Sequence, residues 1–392
     1  MIYREMPVYI RWIFLPLKLI VKSIRKVFNF IDSIKLDLWI IAGKETSTKE
    51  ELAVIYAGRE KNKNYIAKLA FNGLYNERFI SKIWVWKIKS EAKRKERDCP
   101  LLVVEAPKFC RRLFQKENFF YIPSWISGEV DIFADISLIC KDGSLKSDLR
   151  RIRRNKLAFE VSNNLSQFKE FYFDMYLPYI TKSHGDRAIV TGYDSMKEKF
   201  KECDLFLVKK GVEFISGGLI AYDKNKVSLW HAGVRDGARD YINDGAVAAL
   251  YYFSVLYLKE RGYKKLNFGM SRPFLKDGVL QYKRKWKIRI IKSPEAGIFI
   301  KPLVQTGGVK GFFLNNPFIY IDKKNLKAAF FIEKEKFSSK ENFQKIYRNC
   351  NLRGLSKLTV YRFGEKLSKD DRIIPAEFSD RVELYSTQSL FK

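Results

Sequence analysis

The stretch from Val227 to Ile291 constrains this chain most, because it reads as a strand, a helix and a second strand separated by short connections. Val227–Val234 is apolar and aromatic, the pattern of a strand. A Gly/Asp/Asn-rich loop follows, and Asn243 or Asp244 supplies an N-cap side chain. From Ala246 to Arg261, Ala246, Ala249, Leu250, Phe253, Leu256 and Tyr257 recur at helical spacing, and Gly262 stands where a left-handed C-cap is wanted. Lys264–Gly269 is the next strand, and Gln281-Tyr282-Lys283-Arg284-Lys285-Trp286 reads as a basic loop. The helix N-terminus directs its unpaired N–H groups at whatever the loop 235–245 holds, a natural seat for an anion.

The residues before this stretch extend the pattern. Phe159–Ser162 reads as a short strand and Leu165–Ser183 as a helix whose second half is weakened by Pro178. A second helix spans Asp194–Cys203. Strands at Leu205–Lys209 and Phe214–Tyr222 then form a meander with Val227–Val234, turning at Gly211 and at Asp223-Lys224-Asn225. After the basic loop comes a last strand, Ile288–Ile291. Closer to the N-terminus, strands are expected at Leu36–Ala42, Leu52–Ala57, Tyr65–Phe71, Phe79–Ile88 and Leu101–Val104, with a charged helical connection over Ser90–Arg97. Beyond Pro302, a strand at Ala328–Ile332, a helix opened by the capping box Ser338-x-x-Glu341 and a strand at Leu355–Phe363 give a βαβ-like tail.

Two segments are basic. Tyr9–Ile31 is apolar but carries Arg11, Lys18, Lys22, Arg25 and Lys26, most of them on one helical stripe, which suits a helix lying on an anionic membrane. No charge-free run in it approaches the roughly 18–20 residues a spanning helix needs. Asp142–Lys156 is a short basic helix linking two domains, either a solvated face or a phosphate-contacting patch. The net charge of +30 favours anionic partners: nucleic acid, acidic lipid or a phosphate-bearing donor. Five scattered cysteines without a Cys-x-x-Cys pair argue for reduced thiols in the cytoplasm, and two histidines, His184 and His231, leave no basis for a multi-histidine metal site.

Leu266-Asn267-Phe268-Gly269, preceded by Glu260-Arg261-Gly262 and followed by Tyr282-Lys283-x-x-Trp286, resembles the Fem-like branch of the GNAT acyltransferases, as does the upstream run Arg150-Arg151-Ile152-Arg153-Arg154. That branch comprises peptidoglycan-bridge aminoacyltransferases and envelope-glycan acetyltransferases. The resemblance covers about residues 145–292 and implies an α/β (α+β) fold, a GNAT-like mixed sheet flanked by helices, with two GNAT-like units in tandem. The divisions expected are an N-terminal basic helix (1–34), a partial first unit (35–144), a second, catalytic unit (145–300) and a C-terminal extension (301–392).

The resemblance also implies a reaction: an activated acyl group passes to an amine in a slot between the strands 230–234 and 264–269. Backbone N–H groups there would stabilise the oxyanion. Lys283 matches the family's lysine and would hold a phosphate or stabilise the tetrahedral intermediate. His231 is a candidate base, and Asp240 or Tyr241 would bind the acceptor amine or act as general acid. Asp244, Gly245, Ala246, Asn267 and Arg272 are candidates for holding the donor, with no metal. The loop Arg239-Asp240-Tyr241-Ile242-Asn243-Asp244-Gly245-Ala246 departs from the usual CoA-binding pattern, so the anionic donor is left as acyl-CoA or aminoacyl-tRNA. The acceptor implied is an amine-bearing envelope-glycan or peptidoglycan precursor, met at the inner face of the membrane. The alternative is a non-catalytic basic module that binds membrane or nucleic acid.

Overall fold

The computed structural model of the chain describes residues 31, 33–114, 118–133, 143–185, 190–223, 226–292, 296–333, 340–364 and 374–391. The basic helix expected at Tyr9–Ile31 lies, but for Ile31, outside them, as does Ser338 of the capping box. Among the described residues no helix is long and apolar enough to cross a membrane. The chain folds into two units, each a mixed sheet flanked by helices. One comprises 1–121, 295–315 and 388–392, the other 122–294 and 316–387. The divisions are thus discontinuous in sequence: residue 300 falls inside a strand of the first unit, and 316–387 packs as part of the second.

In the first unit, β1 (Lys35–Glu45), β2 (Glu51–Ala57), β3 (Phe71–Trp84), β4 (Leu101–Ala106), β5 (Phe120–Pro123) and β13 (Gly297–Pro302) form a sheet in the order β3-β1-β2-β4-β13-β5. The strand expected at Tyr65–Phe71 is instead the end of a helix, Glu60–Ala70. Its buried residues Asn62, Lys63, Ile66, Ala67 and Ala70 do keep helical spacing, but two of them are polar, which hides the period. Lys63 is fully buried because its ammonium lies 3.8 Å from the centre of the Trp39 ring and 2.8 Å from a Glu77 carboxylate oxygen.

The second unit holds the stretch read first from sequence. Strands β6 (Ile126–Asp131), β7 (Leu157–Ser162), β8 (Cys203–Lys210), β9 (Glu213–Asp223), β10 (Lys226–Val234), β11 (Lys265–Ser271) and β12 (Arg289–Lys292) run in the order β12-β6-β11-β10-β9-β8-β7. From β7 to β10 every neighbour is antiparallel, whereas β10 and β11 are parallel because the helix Ala246–Glu260 crosses between them. A second, four-stranded sheet, β14 (Phe318–Asp322), β15 (Asn325–Glu333), β16 (Lys357–Phe363) and β17 (Val382–Ser386), contains the expected βαβ element: β15 and β16 are parallel and joined through the helix Lys340–Cys350. It meets the larger sheet where Ile290 N–H donates to Arg353 O at 2.7 Å.

Two cores cover the two faces of the larger sheet. On β8, Phe206 and Val208 join the core under the helix Ala246–Glu260, while Leu205 and Leu207 join the one under the helix that begins at Leu165. That second helix runs through Leu165–Glu170, a π turn over Phe171–Tyr176 and Leu177–His184. Pro178, having no N–H, removes a rung of the ladder, and the wide turn just before it absorbs the loss. Gly217 and Gly233 face each other across β9 and β10 directly beneath this turn. A methyl group on Gly233 would stand 2.5 Å from Met175 C and Tyr176 N. Gly233→Ala should therefore push the helix off the sheet and cost about 3 kcal/mol of stability, read as a lower urea midpoint at unchanged m-value; an unchanged midpoint would mean the close approach is not obligatory.

Candidate active site

Beyond their start, β10 and β11 diverge. Their single paired position is Ser228 with Asn267, so the edge of β10 from Leu229 onward faces β11 without a ladder. On its other edge β10 carries a bulge: Leu229 pairs with Ile220 and His231 with Leu219, leaving Trp230 as the extra residue. The bulge turns the strand just where the ladder to β11 ends. Backbone N–H groups of 230–234 on that edge are outside the sheet's hydrogen bonding and available to a carbonyl oxygen in the gap.

Side chains from both faces of the sheet converge on this slot. Tyr179 comes from the helix on one face, Tyr251 and Tyr282 from helices on the other. The Tyr251 and Tyr282 rings stand edge to face with centroids 5.4 Å apart. Burial raises all three phenol pKa values, and the Tyr179 hydroxyl acts electrostatically on both of the others. Phenols from opposite faces can sense one another only where the sheet between them is open. Sequence reading missed all three, since a tyrosine at helical spacing is indistinguishable from ordinary core.

Lys283 lies at the edge of the slot, on a helix, Gly278–Arg284, that replaces the basic loop expected there. The sequence signal for that helix was Asp277, whose carboxylate caps it by accepting from Leu280 N–H at 3.1 Å. Lys283 is 3 % exposed, and its Nζ donates to Met270 O at 2.8 Å. Burial drives its pKa down to about 7, against the opposing pull of Asp277. Met270 O is presented by Gly269, which is left-handed (φ 73°) and 3.9 Å from Nζ at the position a Cβ would take. Asn267 fixes that bend: its Oδ1 accepts from Gly269 N–H at 2.7 Å and from Ser127 Oγ at 2.8 Å.

The other residues singled out from sequence fall around this centre. His231 packs among aromatic rings, its own ring 4.2 Å from Trp230 and 4.9 Å from Tyr176. Burial, helped by the charge of Lys199, lowers its pKa to about 4, and its buried Nε2 has no hydrogen-bond partner among the described residues. Arg272 stacks its guanidinium 4.1 Å over Trp125 and reaches Ser124 O at 3.4 Å. Tyr241 donates to Glu213 of β9 at 2.7 Å, on the side of β10 away from β11, and Asp240 is exposed. No open loop precedes the helix Ala246–Glu260. Residues Arg239–Asp244 form a helical turn, and Gly245, left-handed at φ 100°, is the N-cap with no side-chain cap bond. The capping role expected of Asn243 or Asp244 is thereby overturned, because Asp244 accepts instead from Lys210 at 2.8 Å through its carboxylate and from Asn155 at 2.9 Å through its carbonyl. Ala246 is fully buried, and Arg151 lies against Gly245. Among the described residues no cluster could hold a metal ion.

The Lys283 shift sets a direction for stability against pH. Its folded pKa of about 7 lies below the ordinary 10.5, so between those values the unfolded chain binds more protons than the folded one. Stability should rise across that window in the native chain and lack this rise in Lys283→Met, as measured by urea unfolding at a series of pH values. Parallel pH profiles for the two proteins would show that Lys283 titrates normally.

No protein-family model and no curated protein matches the chain. Among solved structures it is similar to L-PGS from Bacillus licheniformis, at 14% identity over 67% of this chain and 81% of that one, with a TM-score of 0.35. FemX is similar at 12% identity, over 67% of this chain and 83% of its own, TM-score 0.35. A tandem GNAT protein from the clavulanic acid biosynthesis pathway is similar at 8% identity, over 66% and 82%, TM-score 0.29.

Proposed function

We propose that the second unit transfers an activated acyl or aminoacyl group to an amine, and that the reaction takes place in the slot between β10 and β11. The observation that carries this reading is the parting of the two strands after Ser228 and Asn267, with a buried lysine amine at the edge of the opening. A planar acyl carbonyl fits between two strand edges, where backbone N–H groups need no particular side chain to bind a developing oxyanion. The acceptor nitrogen attacks the carbonyl carbon and forms the new C–N bond. The carbonyl electrons pass to oxygen, then return as the bond to the donor's sulfur or oxygen breaks. The proton lost by the amine must go to a base, and the leaving group must gain one.

Lys283 is the better base on physical grounds. Near pH 7 a large fraction of it is neutral, one N–H donates to Met270 O, and a lone pair remains. His231, with its pKa near 4, is neutral but a weak acceptor of protons. The buried phenols Tyr179, Tyr251 and Tyr282 remain protonated and can return a proton to the leaving group. The donor is an acyl-CoA or an aminoacyl-tRNA. The acceptor is the amine of an envelope-glycan or peptidoglycan precursor, reached at the inner membrane surface with the basic segment 9–31 as the contact. The strongly basic chain suits each of these anionic partners.

Incubation of the full chain with acetyl-CoA or charged tRNA and a set of amino-sugar acceptors, with product detected by mass spectrometry, tests the assignment. Lys283→Ala should lower kcat by about 10²–10⁴-fold while circular dichroism and Tm show a folded protein. His231→Ala should cost less than about tenfold. Turnover that survives Lys283→Ala unchanged would remove the slot as the reaction site.

A further inference from the structure

Away from the slot, the junction between β12 and the four-stranded sheet carries two open grooves that share Arg353. One, of about 650 Å³, lies beside the helix Gly278–Arg284 and is lined by Arg284, Lys285 and Lys287. The other, of about 570 Å³, is lined by Arg289, Lys357 and Arg381. Every charged residue in either lining is basic. We infer that this pair of grooves is a docking surface for the phosphodiester backbone of a nucleic acid, bound without regard to base sequence.

Three observations favour that occupant. The first is charge left unneutralised. Lys285 has Asp148 at 3.5 Å and Lys357 has Glu383 at 3.0 Å, but Arg289, Arg353 and Arg381 are exposed and form no ion pair among the described residues. Like charges gathered within a screening length of roughly 8 Å repel one another, and folding alone gives no return for it; a bound polyanion would. The second is the type of cation. Guanidinium groups present planar forks that match two phosphate oxygens at once. They are held in place by backbone contacts: Arg353 Nη1 donates to Lys287 O at 3.5 Å, and Gly354, left-handed at φ 99°, lies so close to Ile290 that a methyl group there would meet Ile290 O at 2.3 Å. The third is shape. Two grooves meeting at one arginine suit a run of successive phosphates better than a single anion. Their apolar lining, Ile288, Leu352 and Leu358, is buried, so nothing is offered for insertion into a bilayer.

The test measures binding of the full chain to a labelled single-stranded RNA of about 20 nucleotides, over a salt series from about 50 to 200 mM. The triple variant Arg289→Gln/Arg353→Gln/Arg381→Gln should bind at least about tenfold more weakly, and its slope of log K against log salt should fall by about 2. The comparison is Lys146→Gln/Arg150→Gln/Arg153→Gln, which removes equal charge from the exposed face of the helix Gly143–Arg154 and should lose less than about threefold. Arg289→Lys/Arg381→Lys should keep most of the affinity, which separates charge from misfolding. Equal losses in the two triple variants would reduce the effect to net charge and overturn the inference. So would unchanged RNA binding in the groove variant, or loss of binding to phosphatidylglycerol vesicles with RNA binding intact. Lys283→Ala should bind RNA normally, so failure of the acyl-transfer reading leaves this result interpretable.

Discussion

The second unit depends on a place where two strands have no side chains. Gly217 and Gly233 oppose each other, and the backbone of the π turn rests directly on them. A helix held off by side chains packs at 8–10 Å or so from its neighbour; here the backbone of Met175 and Tyr176 comes to within contact of the sheet. That approach brings Tyr179 to the level of the gap between β10 and β11, and encloses His231 between Tyr176 and Trp230. The slot is therefore a product of packing on one face and of strand divergence along the other edge of β10. Neither would make it alone.

Inside the slot the electrostatic balance is set by removal of water. An ammonium with no nearby carboxylate in contact is expensive to bury, and the protein responds by letting Lys283 lose its proton near neutrality. The same burial holds the tyrosines protonated. One environment thus gives a nitrogen that accepts a proton and oxygens that keep theirs, the division of roles that acid–base chemistry requires. Outside, the charge distribution is the reverse: exposed arginines accumulate at the β12 junction without carboxylates to match them.

Much of this architecture was legible in the sequence. The meander, the helix Ala246–Glu260 and strand β11 announce themselves through strict periodicity bounded by glycine turns, and Lys283 through its place after Gly269. Elements were misread where polar residues face inward. Lys63 on the buried side of Glu60–Ala70 broke the apolar pattern, and only the Trp39 ring explains why it can be there. The run Gln281–Trp286 looked like loop because four of its residues are polar or charged, yet Leu280, Lys283 and Trp286 all point inward. The phenols of the slot come from three separated helices, and no local pattern records that they meet. His231 was legible as a residue but not as an environment, since its lowered pKa follows from rings contributed by other elements.

The π turn over Phe171–Tyr176 has a consequence for how this helix can change over time. A π turn holds one residue more than the α-helical count, so everything after it is rotated by about 100° about the helix axis. Removing a single residue between Phe171 and Tyr176 would restore a regular helix and swing Tyr179 away from the opening, with composition barely altered. The phase of this helix is thus written in its length, and divergence by insertion or deletion would act on the slot more abruptly than divergence by substitution.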